Sequence, residues 1–382
     1  MTGTASNPYR YSQVLDTALP DGSFVVGSSY DQGKSLIVHL RRVLPDCRIA
    51  AFLGAILPGK YGINVIAGTP DGRVLLGGDA GHSALVGRFF ADGGLDRSFG
   101  TDGWTRLKPH EKPVYRMPQF FNVTSITFAP SGRIVVGGTD GGAHCCVRSF
   151  VSELTPDGSP IATFGRNSSM VVPHYAGSYT ADVSPNPDGS VYVLDQYQGS
   201  GCGGPSIVRM FTDGSLDRHF DKTIGRTIKG ISGRHMLFSP SLVPDGQGGF
   251  TLVGDFDRTC RIFRHWRTSG VAVRIGPSGR VASGLTHFPS PRFSFYRPAA
   301  IRLPSGRILA AGAGVTSTLV QVFGPDGSRD PSVGDHGLLR IGLPSGVRGH
   351  GVSGDLLRAA DGSAWLVRGF PHEIDLTPLP VR

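Results

Sequence analysis

The sequence predicts an all-β chain closed into a ring from seven copies of one unit. Three observations carry that prediction. A Pro-Asp-Gly-like turn recurs at near-constant spacing, and an apolar, β-branched run follows each copy, as in Ile134-Val135-Val136 and Ile308-Leu309-Ala310. Glycine (56) and proline (28) exceed a fifth of the 382 residues, yet 39% of the chain is hydrophobic and falls in short regular runs. That pattern fits many tight turns between short strands and not disorder. No helical periodicity of useful length stands out. A closed array of repeats also lets 382 residues form one domain, because each unit packs only on its neighbours.

The first turn of each unit reads Pro20-Asp21-Gly22, Pro70-Asp71-Gly72, Pro130-Ser131-Gly132, Pro187-Asp188-Gly189, Pro244-Asp245-Gly246, Pro304-Ser305-Gly306 and Ala360-Asp361-Gly362. The middle residues, 21, 71, 131, 188, 245, 305 and 361, lie 50–60 residues apart. Proline presets φ, Asp or Ser bonds the local backbone, and glycine takes positive φ. A second turn follows within units, as in Ala91-Asp92-Gly93, Pro156-Asp157-Gly158, Thr212-Asp213-Gly214, Pro277-Ser278-Gly279 and Pro325-Asp326-Gly327. Two hairpins per unit give four antiparallel strands, which is one blade of a β-propeller. The expected fold is a single seven-bladed β-propeller over residues 1–382. The last unit supplies three strands, so an N-terminal segment near residues 4–10 is expected to clasp the ring as the missing outer strand, leaving no free edge.

The units resemble the delta-60 repeat family. The resemblance rests on PDGRVLLGG and LVGRFFADGGLDRSFGTDG within residues 70–103, on TDGSLDRHF at 212–220, and on the recurring turns. It spans nearly the whole chain and is worn in units one, five and seven. Unit one, for example, aligns His39 with Arg88, Arg148 and Arg209. Membership implies a propeller, often within large or extracellular proteins, and implies no particular activity.

Charge and special residues bound the function. Net charge is +9, and the excess is arginine, whose planar fork suits carboxylates and phosphates. No lysine-rich run or aromatic–basic stripe points to nucleic acid. No run of about 18 apolar residues points to a membrane span. The N-terminal residues lack a leader pattern, so the expectation is a soluble, cytoplasmic monomer, or a secreted protein whose leader has been trimmed. Five cysteines without CxxC spacing argue against a zinc finger. In an oxidising compartment Cys202 and Cys260 are the pair to test for a bridge, with Cys145–Cys202 as the rival and free thiols as the plain reading.

In such a ring the tight Asp-Gly turns share one end. The longer, irregular connections share the other, and they carry nine of the twelve histidines. Loops on a rigid scaffold are where binding groups collect. There the candidate acid–base groups are His235, His287, Tyr175 and Tyr296. Arg297, Arg116, Arg267, His174 and His350 are candidates for holding substrate. Together they fit proton abstraction beside a carboxylate or carbonyl, as in a lyase or cyclase, with an acidic small molecule or glycan as partner and no cofactor. A histidine-bound divalent metal is the alternative cofactor reading, though no HxH or HExxH spacing supports it. A non-catalytic propeller that binds a glycan, peptide or protein is the competing function class. Loops that differ from unit to unit favour one asymmetric pocket over seven equal sites.

Overall fold

In the computed structural model the described residues are 13–32, 35–58, 61–80, 83–108, 119–142, 145–166, 168–172, 178–197, 206–232, 236–257, 268–289, 299–313, 317–343, 354–369 and 374–381. They form seven antiparallel sheets in a ring, a seven-bladed β-propeller. Blade one holds β1 (Gln13–Ala18), β2 (Phe24–Gln32), β3 (Ser35–Val43) and β4 (Ile49–Pro58). Blade two holds β5 (Tyr61–Gly68), β6 (Val74–Ala80), β7 (Ala84–Phe89) and β8 (Trp104–Leu107). Blade three holds β9 (Gln119–Phe128), β10 (Ile134–Gly142), β11 (Cys145–Leu154) and β12 (Ser169–Val171). Blade four holds β13 (Ser178–Pro185), β14 (Val191–Tyr197) and β15 (Ser206–Met210), followed by helix α1 (Arg218–Ser232). Blade five holds β16 (Met236–Pro244), β17 (Phe250–Asp257), β18 (Thr268–Ile275) and β19 (Val281–Pro289). Blade six holds β20 (Ala299–Arg302), β21 (Ile308–Ala313), β22 (Ser317–Phe323) and β23 (Leu338–Gly342). Blade seven holds β24 (Gly354–Arg358), β25 (Ala364–Gly369) and β26 (Ile374–Pro378).

The first strand of each blade touches the first strand of the next, from β1 through β5, β9, β13, β16 and β20 to β24 and back to β1. These seven strands therefore line the axis. Seven apolar clusters fill the seven interfaces between blades. Successive strand residues point to opposite interfaces. Val74 and Leu76 pack toward blade one, while Leu75 packs toward blade three. Both faces of a blade are buried, which is why the central strands read as unbroken apolar runs.

The turns behave as their chemistry requires. Gly22, Gly72, Gly132, Gly189, Gly246, Gly306 and Gly362 all take positive φ, between 75° and 83°. Among the described residues each blade is built from one continuous stretch of chain. Blades seven and one close on a packed interface in which Phe24 and Trp365 lie 5.3 Å apart between ring centroids. The segment expected to act as a clasp lies outside the described residues.

Two expectations are corrected. First, the chain does contain a helix, and it stands where blade four lacks a fourth strand. In three other blades the segment after the second turn ends at a positive-φ glycine: Gly100 (53°), Gly165 (58°) and Gly334 (57°). A Cβ at Gly100 would lie 2.4 Å from the Thr105 hydroxyl, so only glycine returns the chain to the sheet there. Blade four carries Asp221 at the matching place, after Phe220, and the chain continues as α1. Asp217 caps it, its carboxylate accepting from the Phe220 amide at 2.9 Å. Phe220, Ile224, Ile228 and Ile231 form the apolar stripe that packs on the interface of blades four and five. Polar residues on the remaining faces hid this short stripe in the sequence.

Second, strand register replaces His39 by Arg42 in the repeated arginine position. Arg42, Arg88, Arg209 and Arg274 each pair with the second residue of the central strand, whereas His39 pairs with Ser28 and Arg148 with Asp140. Blade three has Glu153 at this position, opposite Val135.

Candidate functional site

The strands around the axis run from the loop end of the ring to the turn end, and the two ends differ. At the turn end the pattern is regular and structural. Arg42 is bonded to Asp21 and Arg209 to Asp188, and Arg274 reaches Asp245 at 3.0 Å. Blade three inverts the charges: Ser131 replaces the turn aspartate, and Arg133 pairs with Glu153 at 2.6 Å. Ten arginines in the described residues are engaged with acids, the others being Arg48, Arg73, Arg88, Arg148, Arg307 and Arg368. Much of the arginine excess therefore ties strands and turns together within single blades, and on those residues it does not mark an anion site.

Halfway along the axis the regularity breaks. Four consecutive axial strands carry a β-bulge at one common depth. Asn64 is the extra residue in β5, Thr124 in β9, Ala181 in β13, and Ser239-Pro240 in β16. The described residues of β1 and β24 keep unbroken register through that depth. The bulges push the inner strand against its neighbour, which accounts for the paired glycines of blades two and three. A Cβ at Gly78 would sit 1.6 Å from the Gly62 carbonyl oxygen, and one at Gly138 2.3 Å from that of Asn122. Bulges re-aim side chains, and polar contacts between blades follow. The Asn64 amide donates to the Asn122 side-chain oxygen, and the Ser125 hydroxyl donates to Asp182 at 3.1 Å.

Acidic groups dominate this depth. Leu15 packs toward blade two, so its neighbour Asp16 faces blade seven; Leu356 packs toward blade six, so Asp355 faces blade one. The two carboxyls meet across the closing seam. Oδ2 of Asp16 is shut off from solvent with no hydrogen-bond partner, while Asp355 is exposed. Burial first, and the charge of Asp355 second, push Asp16 well above the usual carboxylate range. Farther from the axis, Asp195 on β14 is buried between blades three and four. Burial raises its carboxyl to about 7, offset in part by the Ser149 hydroxyl.

Of the residues singled out in the sequence as site candidates or as the bridge pair to test, the structure describes one. His235, Tyr175, Tyr296, Arg297, Arg116, Arg267, His174, His350, Cys202 and Cys260 lie outside the described residues. His287 is described, on β19, opposite Val271. That strand is the outermost of blade five, the layer farthest from the axis. Among the described residues no group of three His, Cys, Asp or Glu is placed to hold a metal, and no helix is long and apolar enough to cross a membrane. Sequence reasoning missed Asp16, Asp182 and Asp355. Their signal was present: an aspartate four or five residues before the first turn, on the strand that leads into it.

No family model matches the chain, and no curated protein sequence does. Solved structures are similar in fold. Puromycin hydrolase matches over 97% of this chain and 52% of its own, with TM-score 0.54 and 15% identity. Prolyl oligopeptidase B from Galerina marginata, as the apo protein, matches over 98% of this chain and 50% of its own, with TM-score 0.52 and 10% identity. This chain thus spans about half the length of either. The β-propeller domain of the Trilobed protease from Pyrococcus furiosus, described as having an open velcro topology, covers 97% of this chain and 95% of its own, at TM-score 0.50 and 10% identity. The likeness is one of fold. It places hydrolases among the structural neighbours, and identities this low carry no residue across.

Proposed function

We propose that the protein holds one small polar ligand at the loop end of its axis, on the side of blades two to five. The observation that carries this reading is the set of four bulges at one depth in consecutive axial strands. Bulges concentrate beside active sites because they aim side chains that a regular strand would leave in register. Asn64, Asn122, Ser125 and Asp182 offer hydroxyl, amide and carboxylate groups there.

In its catalytic form the reading is acid–base chemistry of the lyase or cyclase kind. The segments that lead into the axial strands contain His174 and Tyr175 before β13, His235 before β16, Tyr296 and Arg297 before β20, and His350 before β24. These supply groups that titrate or donate near neutral pH. The competing form is a propeller that binds the same ligand without turning it over.

A thermal-shift screen of neutral sugars, uronates, amines and short peptides tests the site. Hits should weaken at least tenfold in Asn122→Leu and Asp182→Asn, and persist in the turn-end variant Asp326→Asn. Hits that ignore both axial substitutions place the ligand elsewhere. Turnover of a hit that is lost in His235→Ala or Tyr175→Phe selects the catalytic form.

A further inference from the structure

We infer that the outward face of α1 docks an acidic polysaccharide, a chain carrying a carboxylate on successive sugars; this surface lies on the outer rim of the ring, apart from the axial site. Phe220, Ile224, Ile228 and Ile231 turn the other face of the helix into the interface of blades four and five. Arg218, Lys222, Arg226 and Lys229 are exposed. From the geometry of an α-helix they fall within an arc of about 80° and spread over about 16 Å, with a cation on nearly every turn. The exposed Arg280 stands beside this row, because Gly279 before it lies against the Phe220 ring and the Ile224 amide.

Two features set this face apart from an ordinary solvated helix surface. Arg218 and Lys222, and Lys222 and Arg226, stand at i, i+4, and Arg226 and Lys229 at i, i+3, spacings at which like charges repel. Arg218 also occupies the first turn, the end of the helix dipole that disfavours a cation. The acids of the segment do little to relieve this. Asp217 is spent on capping the His219 and Phe220 amides. Asp221 is half-buried, with Oδ1 shut off from solvent, and its charge bears on Arg218. Among the described residues no acid pairs with Lys222, Arg226 or Lys229. Packing asks for none of these charges, whereas a row of partner anions would offset all of them. Shape then selects the partner. The face presents no Phe, Tyr or Trp on which bases could stack. Its apolar side is spent on the blades, which removes the means of entering a bilayer and covers too much of the girth of α1 for it to lie in a DNA major groove. A straight row of donors spaced by roughly one helical turn, about 5.4 Å, is close to the length of one sugar residue and suits a single flexible chain with one anion per unit.

Titration calorimetry of the full chain at low ionic strength compares hexagalacturonate with the neutral hexasaccharide maltohexaose, with hexaglutamate and with a thymidine hexanucleotide. Hexagalacturonate should bind tightest, and its affinity should fall as salt is added. Lys222→Gln with Arg226→Gln should weaken it by about tenfold or more, since two exposed ion pairs are lost, while melting at or slightly above the wild-type temperature. The control Arg41→Gln with Arg340→Gln removes the same charge from exposed positions on β3 and β23 and should leave the affinity within about twofold. An equal loss in the control shows attraction to net charge alone and overturns the inference. So does a failure of hexagalacturonate to bind, equal binding of maltohexaose, or tighter binding of hexaglutamate or of the hexanucleotide.

Discussion

Arg88 and Asp96, eight residues apart in blade two, are both buried and meet at 2.7 Å. The same guanidinium donates to the Pro156 carbonyl of blade three at 2.6 Å and lies over the Phe99 ring at 4.8 Å. One side chain thus ties a turn to its own blade and to the next. Arg88→Ala should cost about 3–5 kcal/mol in chemical denaturation, because it leaves a buried aspartate with only the longer contact to Arg73, at 3.5 Å, to balance its charge. Arg88→Met with Asp96→Asn should recover much of that loss. Burial alone would raise Asp96, but hydrogen bonds from Ser98 and the pairing with Arg88 outweigh it and hold its carboxyl low. Its contribution is therefore present above the unfolded carboxylate pKa of about 3.9 and is lost as the pH falls through the lower folded value.

Asp195 has the opposite sign. Its folded pKa, raised to about 7 by burial, means that the native chain holds a proton which the unfolded chain releases. Stability should fall as the pH rises from about 4 toward 7, by at most about 1.4 kcal/mol per pH unit from this group. Melting curves of Asp195→Asn should lose that slope and exceed wild type at pH 8. An unchanged slope would show that Asp195 is ionised when folded.

Helix α1 is held by its cap and its apolar stripe. Asp217→Ala should cost roughly 0.5–2 kcal/mol through the lost cap. Ile224→Ala should cost about 2–5 kcal/mol, since its side chain is buried between blades four and five. The exposed Lys222→Ala should change stability by less than about 0.5 kcal/mol. Urea unfolding followed by circular dichroism separates the three.

Cys47 is exposed and takes φ 65° in the second turn of blade one, where Gly93, Gly158, Gly214, Gly279 and Gly327 take 79–89° in other blades. A side chain in this region costs roughly 1–2 kcal/mol. Cys47→Gly should therefore raise stability by about 0.5–1 kcal/mol, after the greater chain entropy of glycine is subtracted. A lower melting point would show that the thiol makes a contact worth keeping.

By itself the sequence determined the ring and its count. Each Pro-Asp-Gly turn is a local event, set by residues that prefix φ, bond their own backbone and accept positive φ, so all seven could be read in one dimension. The alternation between turn end and loop end followed from the same spacing. Only the tertiary structure decided what depends on register. Arg42 displaced His39 once strands were paired. The substitution of Asp221 for a returning glycine became a helix only because blades four and five left an apolar groove for its stripe. Above all, the axis was invisible in the sequence. Asp16 and Asp355 are 339 residues apart and meet because the ring closes. The bulges that turn Asn64 and Asp182 toward their neighbours arise from pairing between strands, which no local pattern records.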